Sequence, residues 1–113
     1  MSADQTPSWS FLTNHAQVLL CIAHDPGIRL REIGDTVGIT ERAAHRIVGE
    51  LADAGYISRQ RAGRRNHYTI QPNAPLPDAL ARDNKVGDLL AILIENNPPA
   101  TERAPRGAGR ARP

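Results

Sequence analysis

Only one cysteine, Cys21, occurs in the 113-residue chain, which excludes an intrachain disulfide and, taken by itself, a paired-cysteine metal knuckle. Lysine is as scarce: Lys85 is the single lysine among 14 basic residues. There are four aromatic residues, Trp9, Phe11, Tyr56 and Tyr68. That is few for the stacking platforms that hold single-stranded RNA, which ranks last among the candidate partners. No apolar run exceeds six residues, at 18–23 and 89–94, against roughly 20 for a membrane-spanning helix, so no membrane partner is expected. The opening MSADQTPSWS has neither a basic n-region nor an apolar h-region; no signal peptide is expected, and the cytoplasm is the expected compartment. GxSxG, P-loop, HExxH and spaced Cys/His signatures are missing, so no catalytic residues, no enzyme activity and no cofactor are expected.

The length suits one domain with one core, and 40% hydrophobic with 23% charged residues is an ordinary globular composition. The net charge is only +2, but arginine is unevenly spread. Residues 56–71 carry Arg59, Arg61, Arg64 and Arg65 and no acid. Residues 97–113 hold four arginines and four prolines against Glu102 alone, which leaves little to bury and predicts a disordered basic tail. Residues 1–8 are expected to be flexible, which leaves 9–96 as the folded domain. Arginine makes bidentate contacts to phosphate and guanine that lysine cannot reproduce, although a GC-rich genome would favour it as well.

Along the chain, Thr13 is placed to cap a helix running to His24. Its apolar residues cover more than one face, which predicts burial on two sides. Pro26 and Gly27 stop it, residues 28–30 read as a short extended piece, and a second helix spans 31–37 until Gly38. Thr40 opens a third helix, in which Ala44, Ile47, Val48, Leu51 and Ala54 form one apolar stripe. After Gly55 the period changes to two, and residues 56–62, a turn at 63–65 and residues 66–70 form a β-hairpin pattern. Pro72, Pro75 and Pro77 mark a linker before a last helix over 85–95.

This order is a helix-turn-helix followed by a basic hairpin. The stretch LREIGDTVGITERAAHRIVGELADAGYISRQRAGRRNHYTI resembles the winged helix-turn-helix regulators of the ArsR/MarR type. It has their apolar helix, Gly-Ile-Thr turn, recognition helix ending LxxAGYI and basic wing returning to YxI. The chain lacks the long helical arms of many MarR proteins. The expected fold is mostly α (α+β), with a two- to three-stranded wing sheet and a C-terminal dimerisation helix. The resemblance implies a sequence-specific, double-stranded DNA-binding repressor acting as a homodimer, with a small-molecule effector unknown. The alternative is a winged-helix adaptor that binds protein rather than DNA.

The residues expected at DNA follow from the stripe. With Ala44, Ile47, Val48 and Leu51 inward, Arg42, His45, Arg46 and Gly49 face out. Thr40, Glu41, Arg42 and Ala43 lie at the helix start, which reaches base edges in this motif. Arg59, Arg61, Arg64, Arg65 and His67 supply the wing contacts to phosphate or minor groove. The dimer surface is expected at Leu19, Ile22, Val86, Leu89, Leu90, Leu93 and Ile94, on apolar faces beyond what a small monomer needs. Cys21 and His24 share a helix face, with His15 two turns earlier. Three or four ligands are required, so no metal is expected, and Cys21 reads as a small buried hydrophobe. Glu32, Asp35 and Glu50 read as solvated surface carboxylates.

Overall fold

The computed structural model describes residues 7–96, with four helices and one two-stranded sheet among them. The expectations for residues 1–6 and for the basic tail at 97–113 lie outside the described residues. Thr13 caps α1 (Asn14–His24): its hydroxyl accepts the Ala16 N–H at 3.1 Å. Helix α2 (Leu30–Val37) starts one residue early, and residues 28–30 form no strand. Arg29 is instead the extended N-cap, and its N–H donates to Glu32 Oε1 at 3.0 Å. Glu32 is therefore half of a cap rather than a merely solvated carboxylate. Gly38 closes α2 at φ 87°, a left-handed conformation that favours glycine.

Thr40 caps α3 (Glu41–Asp53) by accepting the Ala43 N–H at 3.0 Å, and Ala44, Ile47, Val48 and Leu51 are buried as the spacing implies, whereas Ala54, expected in the same stripe, is the exposed C-cap. Strands β1 (Ile57–Ala62) and β2 (Arg65–Ile70) pair antiparallel from Ile57↔Ile70 to Ala62↔Arg65. The turn thus has two residues, Gly63 and Arg64, rather than three. Gly63 supplies the positive φ, 67°, that a tight hairpin turn needs at its first position. The segment before α2 is tied to the wing by one backbone bond, from the Tyr68 N–H to the Pro26 carbonyl at 2.9 Å.

The linker is fixed rather than loose. A bridge joins Pro75 to Lys85. The Val86 and Gly87 N–H groups donate to the Ala74 and Pro72 carbonyls at 2.8 and 2.9 Å, which anchors the start of α4 (Val86–Asn96) against the hairpin base. Helix α1 packs against α2, α3, α4 and β2, and Val18, Ile22, Ile33, Ile47, Val48 and Val86 are the largest fully buried side chains. The two-sided apolarity of α1 is thereby satisfied inside one chain. Leu19, Ile22, Val86 and Leu90, expected at a dimer surface, are at most 5% exposed within the single chain and belong to its own core. Leu89, Leu93 and Ile94 remain half-buried, and Ile92 beside them is 59% exposed.

The turn between α2 and α3 closes over Gly34. Its carbonyl accepts both the Gly38 and Ile39 N–H groups, at 2.8 and 2.9 Å, and a Cβ there would lie 2.7 Å from the Ile39 carbonyl oxygen. Alanine gains about 1 kcal/mol of helix propensity over glycine, but an overlap at 2.7 Å with backbone rather than with a movable side chain falls at the upper end of the range of about 1–3 kcal/mol that overpacking costs. Gly34→Ala is expected to lower the thermal midpoint by roughly 4 °C or more, as circular dichroism would measure; an unchanged or raised midpoint contradicts this close approach.

Candidate nucleic-acid interface

One side of α3 and the wing carry the candidate site. Opposite the buried stripe of α3, Glu41, Arg42, His45 and Arg46 are exposed and Ala43 is half-buried. The Thr40 hydroxyl, expected among the DNA contacts, is engaged in the helix cap. Gly49 leaves open space where a Cβ would project, so a ligand could approach the α3 backbone closely there.

Arg46 is the constrained member of this face. Its Nη1 donates to Glu50 Oε2 at 3.2 Å, one turn on, and His15 Nε2 on α1 pairs with Glu50 Oε1 at 2.7 Å. The hydrogen bond with His15 is the main reason that the Glu50 carboxyl lies below its ordinary range, with Arg46 adding to it. Glu50 is thus a shared acceptor between two helices, not a merely solvated carboxylate. Arg42, by contrast, has no carboxylate partner among the described residues.

The register divides the wing residues over two faces. Arg59 and Arg61 pair with Tyr68 and Asn66 and so share the face that buries Ile57 and Tyr68 at the hairpin base. Arg65 and His67 pair with Ala62 and Gln60 on the opposite face. All of these basic side chains are exposed. Arg61 Nε donates to the Gly63 carbonyl at 3.3 Å, and Arg65 Nη2 reaches the Gly27 carbonyl at 3.1 Å. The five do not form one patch.

Sequence reasoning missed two residues. Arg29 and Arg31, at the start of α2, line an open cleft of about 350 Å³ together with Arg64, Arg65 and one acid, Glu41. None of these four arginines is ion-paired among the described residues; both ion pairs found there use Glu50. Along the chain, Arg64 and Arg65 lie more than thirty residues beyond Arg31. The only local signal was the pair of arginines flanking Leu30 just after a Pro-Gly break. Such a cluster favours an anion, because each bound phosphate relieves repulsion among the guanidinium groups.

The remaining candidates do not assemble. Cys21 is buried, which pushes its thiol up, and His15 is held by Glu50 rather than turned toward Cys21. Among the described residues no three His, Cys, Asp or Glu side chains cluster as metal ligands would. No described helix is long and apolar enough to cross a membrane. An apolar cavity of about 340 Å³ lies between α1, the end of α3 and α4, with Leu19, Leu51, Tyr56 and Leu93 in its wall and His15 and Glu50 as polar members.

Comparison with solved structures finds the MarR family protein Rv2887 of Mycobacterium tuberculosis, in complex with salicylic acid. It is 20% identical with a TM-score of 0.49, over 88% of this chain and 67% of that one. The PcaV transcriptional regulator of Streptomyces coelicolor, in complex with its natural ligand, is 19% identical with a TM-score of 0.48, over 96% of this chain and 82% of that one. Comparison with curated proteins finds no match. The family model that matches is that of the MarR family, over residues 10–65, which runs from the approach to α1 through the helix-turn-helix to the first residue of β2. With the helix-turn-helix and most of its wing inside that match, the chain belongs to the MarR family of winged helix-turn-helix transcription regulators.

Proposed function

We propose that the chain is a sequence-specific, double-stranded DNA-binding repressor that acts in the cytoplasm as a homodimer, and that it is not an enzyme. The observation that carries this reading is the pairing of a capped α3, whose outward face presents Arg42, His45 and Arg46, with a wing whose exposed bases form no ion pair among the described residues. Helix α3 enters the major groove by its first turn, and Arg42 and Arg46 read base edges. Arg64 and Arg65, joined by Arg29 and Arg31 across the cleft, take backbone phosphates, while Arg59, Arg61 and His67 flank them on the wing. An adaptor would be expected to present an apolar or aromatic patch on α3; its outward residues are instead charged or polar.

The dimer rests on α4. Ile92 is 59% exposed and Leu89 and Leu93 are half-buried, an apolar strip that a second copy would cover about a two-fold axis, while Ile94 lies on the side of α4 toward β2. Such a dimer would offer two recognition helices to successive major grooves, roughly 34 Å apart, and so prefer a near-palindromic site.

Two measurements test this reading. In titrations of a duplex selected by the protein from a randomised pool, Arg42→Ala is expected to reduce discrimination against a scrambled duplex by roughly 1–3 kcal/mol. Arg31→Ala or Arg64→Ala should weaken both duplexes alike and lower the salt slope by about 0.9 per lost phosphate contact. Equal losses on both duplexes for Arg42→Ala would sink its assignment to base reading. For the dimer, light scattering should give the mass of two chains at micromolar concentration and of one for Ile92→Glu, with the helical signal retained; a wild-type mass of one chain refutes it.

A further inference from the structure

We infer that Glu50 is a specificity-determining residue of the α3 surface: anchored by His15, it makes Arg46 favour uncharged base edges over phosphates. The inference rests on the DNA-binding reading of α3 and concerns how one residue of that surface discriminates.

The argument begins with where the carboxylate is held. Arg42, Arg46 and Glu50 follow one another at four-residue intervals, so they form one row along the outward face of α3. An exposed i,i+4 pair alone is weak and easily exchanged for water. Glu50 has a second tie, however, because His15 grips its other oxygen at 2.7 Å from α1, 35 residues away. The side chains of His15, Glu50 and Arg46 are 45%, 49% and 60% exposed, so the group is open to a ligand while α1 and α3 hold its ends.

A carboxylate fixed in this way acts unequally on the acceptors that Arg46 can meet. Arg46 gives Glu50 one nitrogen, Nη1, and keeps N–H donors on its other nitrogens. A phosphate approaching those donors brings a full negative charge next to the Glu50 carboxylate, and the two repel. The O6 and N7 acceptors of guanine carry no net charge and meet far less of that repulsion. Glu50 therefore subtracts mainly from sequence-independent binding. Without the bond to His15, the carboxylate could swing away from an incoming phosphate, and this selectivity would fade.

The test uses the full chain, the duplex that it selects from a randomised pool, and a scrambled duplex. Glu50→Gln keeps the size of the side chain and removes its charge. It should tighten binding to the scrambled duplex by roughly two- to fivefold more than to the selected one, the range in which exposed ion pairs act. The salt slope on the scrambled duplex should steepen by about 0.9, one further phosphate contact. His15→Ala should shift the ratio in the same direction by a smaller factor, and it keeps the inference testable if Glu50→Gln folds poorly. In an Arg46→Ala background the Glu50→Gln effect on the ratio should vanish, which a purely structural role for Glu50 would not produce. Equal tightening on both duplexes, or an effect that persists without Arg46, overturns the inference. A wild-type protein that prefers no duplex overturns the proposed function and this inference together, whereas a wild-type preference untouched by Glu50→Gln overturns the inference alone.

Discussion

Burial of α1 on both sides is the constraint from which the other elements take their places. It is the element that touches α2, α3, α4 and β2, and Val18, Leu19 and Ile22 at its centre are almost wholly covered. At roughly 25 cal/mol per Å² of apolar surface, covering such side chains contributes about 1.5–3 kcal/mol each. A chain this small has few other sources of stability, because it has one cysteine and four aromatic residues. The helix-turn-helix, the wing base and the last helix are therefore attached to one apolar rod. The charged surfaces are what remains on the outside.

Much of this was legible in the residues. The hydroxyls of Thr13 and Thr40 cap the helices they precede, Gly38 ends α2 in the left-handed conformation, and the stripe from Ala44 to Leu51 faces the core. These are local rules, acting over three or four residues. Where distant residues meet, the sequence was silent. Arg29 and Arg31 reach the wing only because α2 starts beside the hairpin, and His15 finds Glu50 across 35 residues. The second apolar face of α1 was visible, but its partner was not: α4 of the same chain covers it, where a second copy had been expected. Periodicity tells which residues want burial and not which surface provides it.

The basic residues fall into two electrostatic classes. Arg29, Arg31, Arg64 and Arg65 line a cleft without an ion pair among the described residues, so four positive charges face the single carboxylate of Glu41 there and leave a net attraction for an anion. Arg46 stands beside Glu50, and its charge is partly answered within the protein. On the proposed reading, such a surface would separate general attraction at its edge from selective contact at its centre. Net charge, only +2 over the whole chain, gives no hint of this division.

The pairing of the wing carries a further consequence. With a two-residue turn and Ala62 opposite Arg65, each strand position is committed to one face, and Arg59 with Arg61 is kept apart from Arg65 with His67. Side chains alternate along a strand, so a slip of one residue would turn Tyr68 out of the core and exchange the charges that the two faces present. Drift in the length of either strand is then tolerable in steps of two and disruptive in steps of one. The hairpin has a parity as well as a charge, and the buried ring of Tyr68 enforces it.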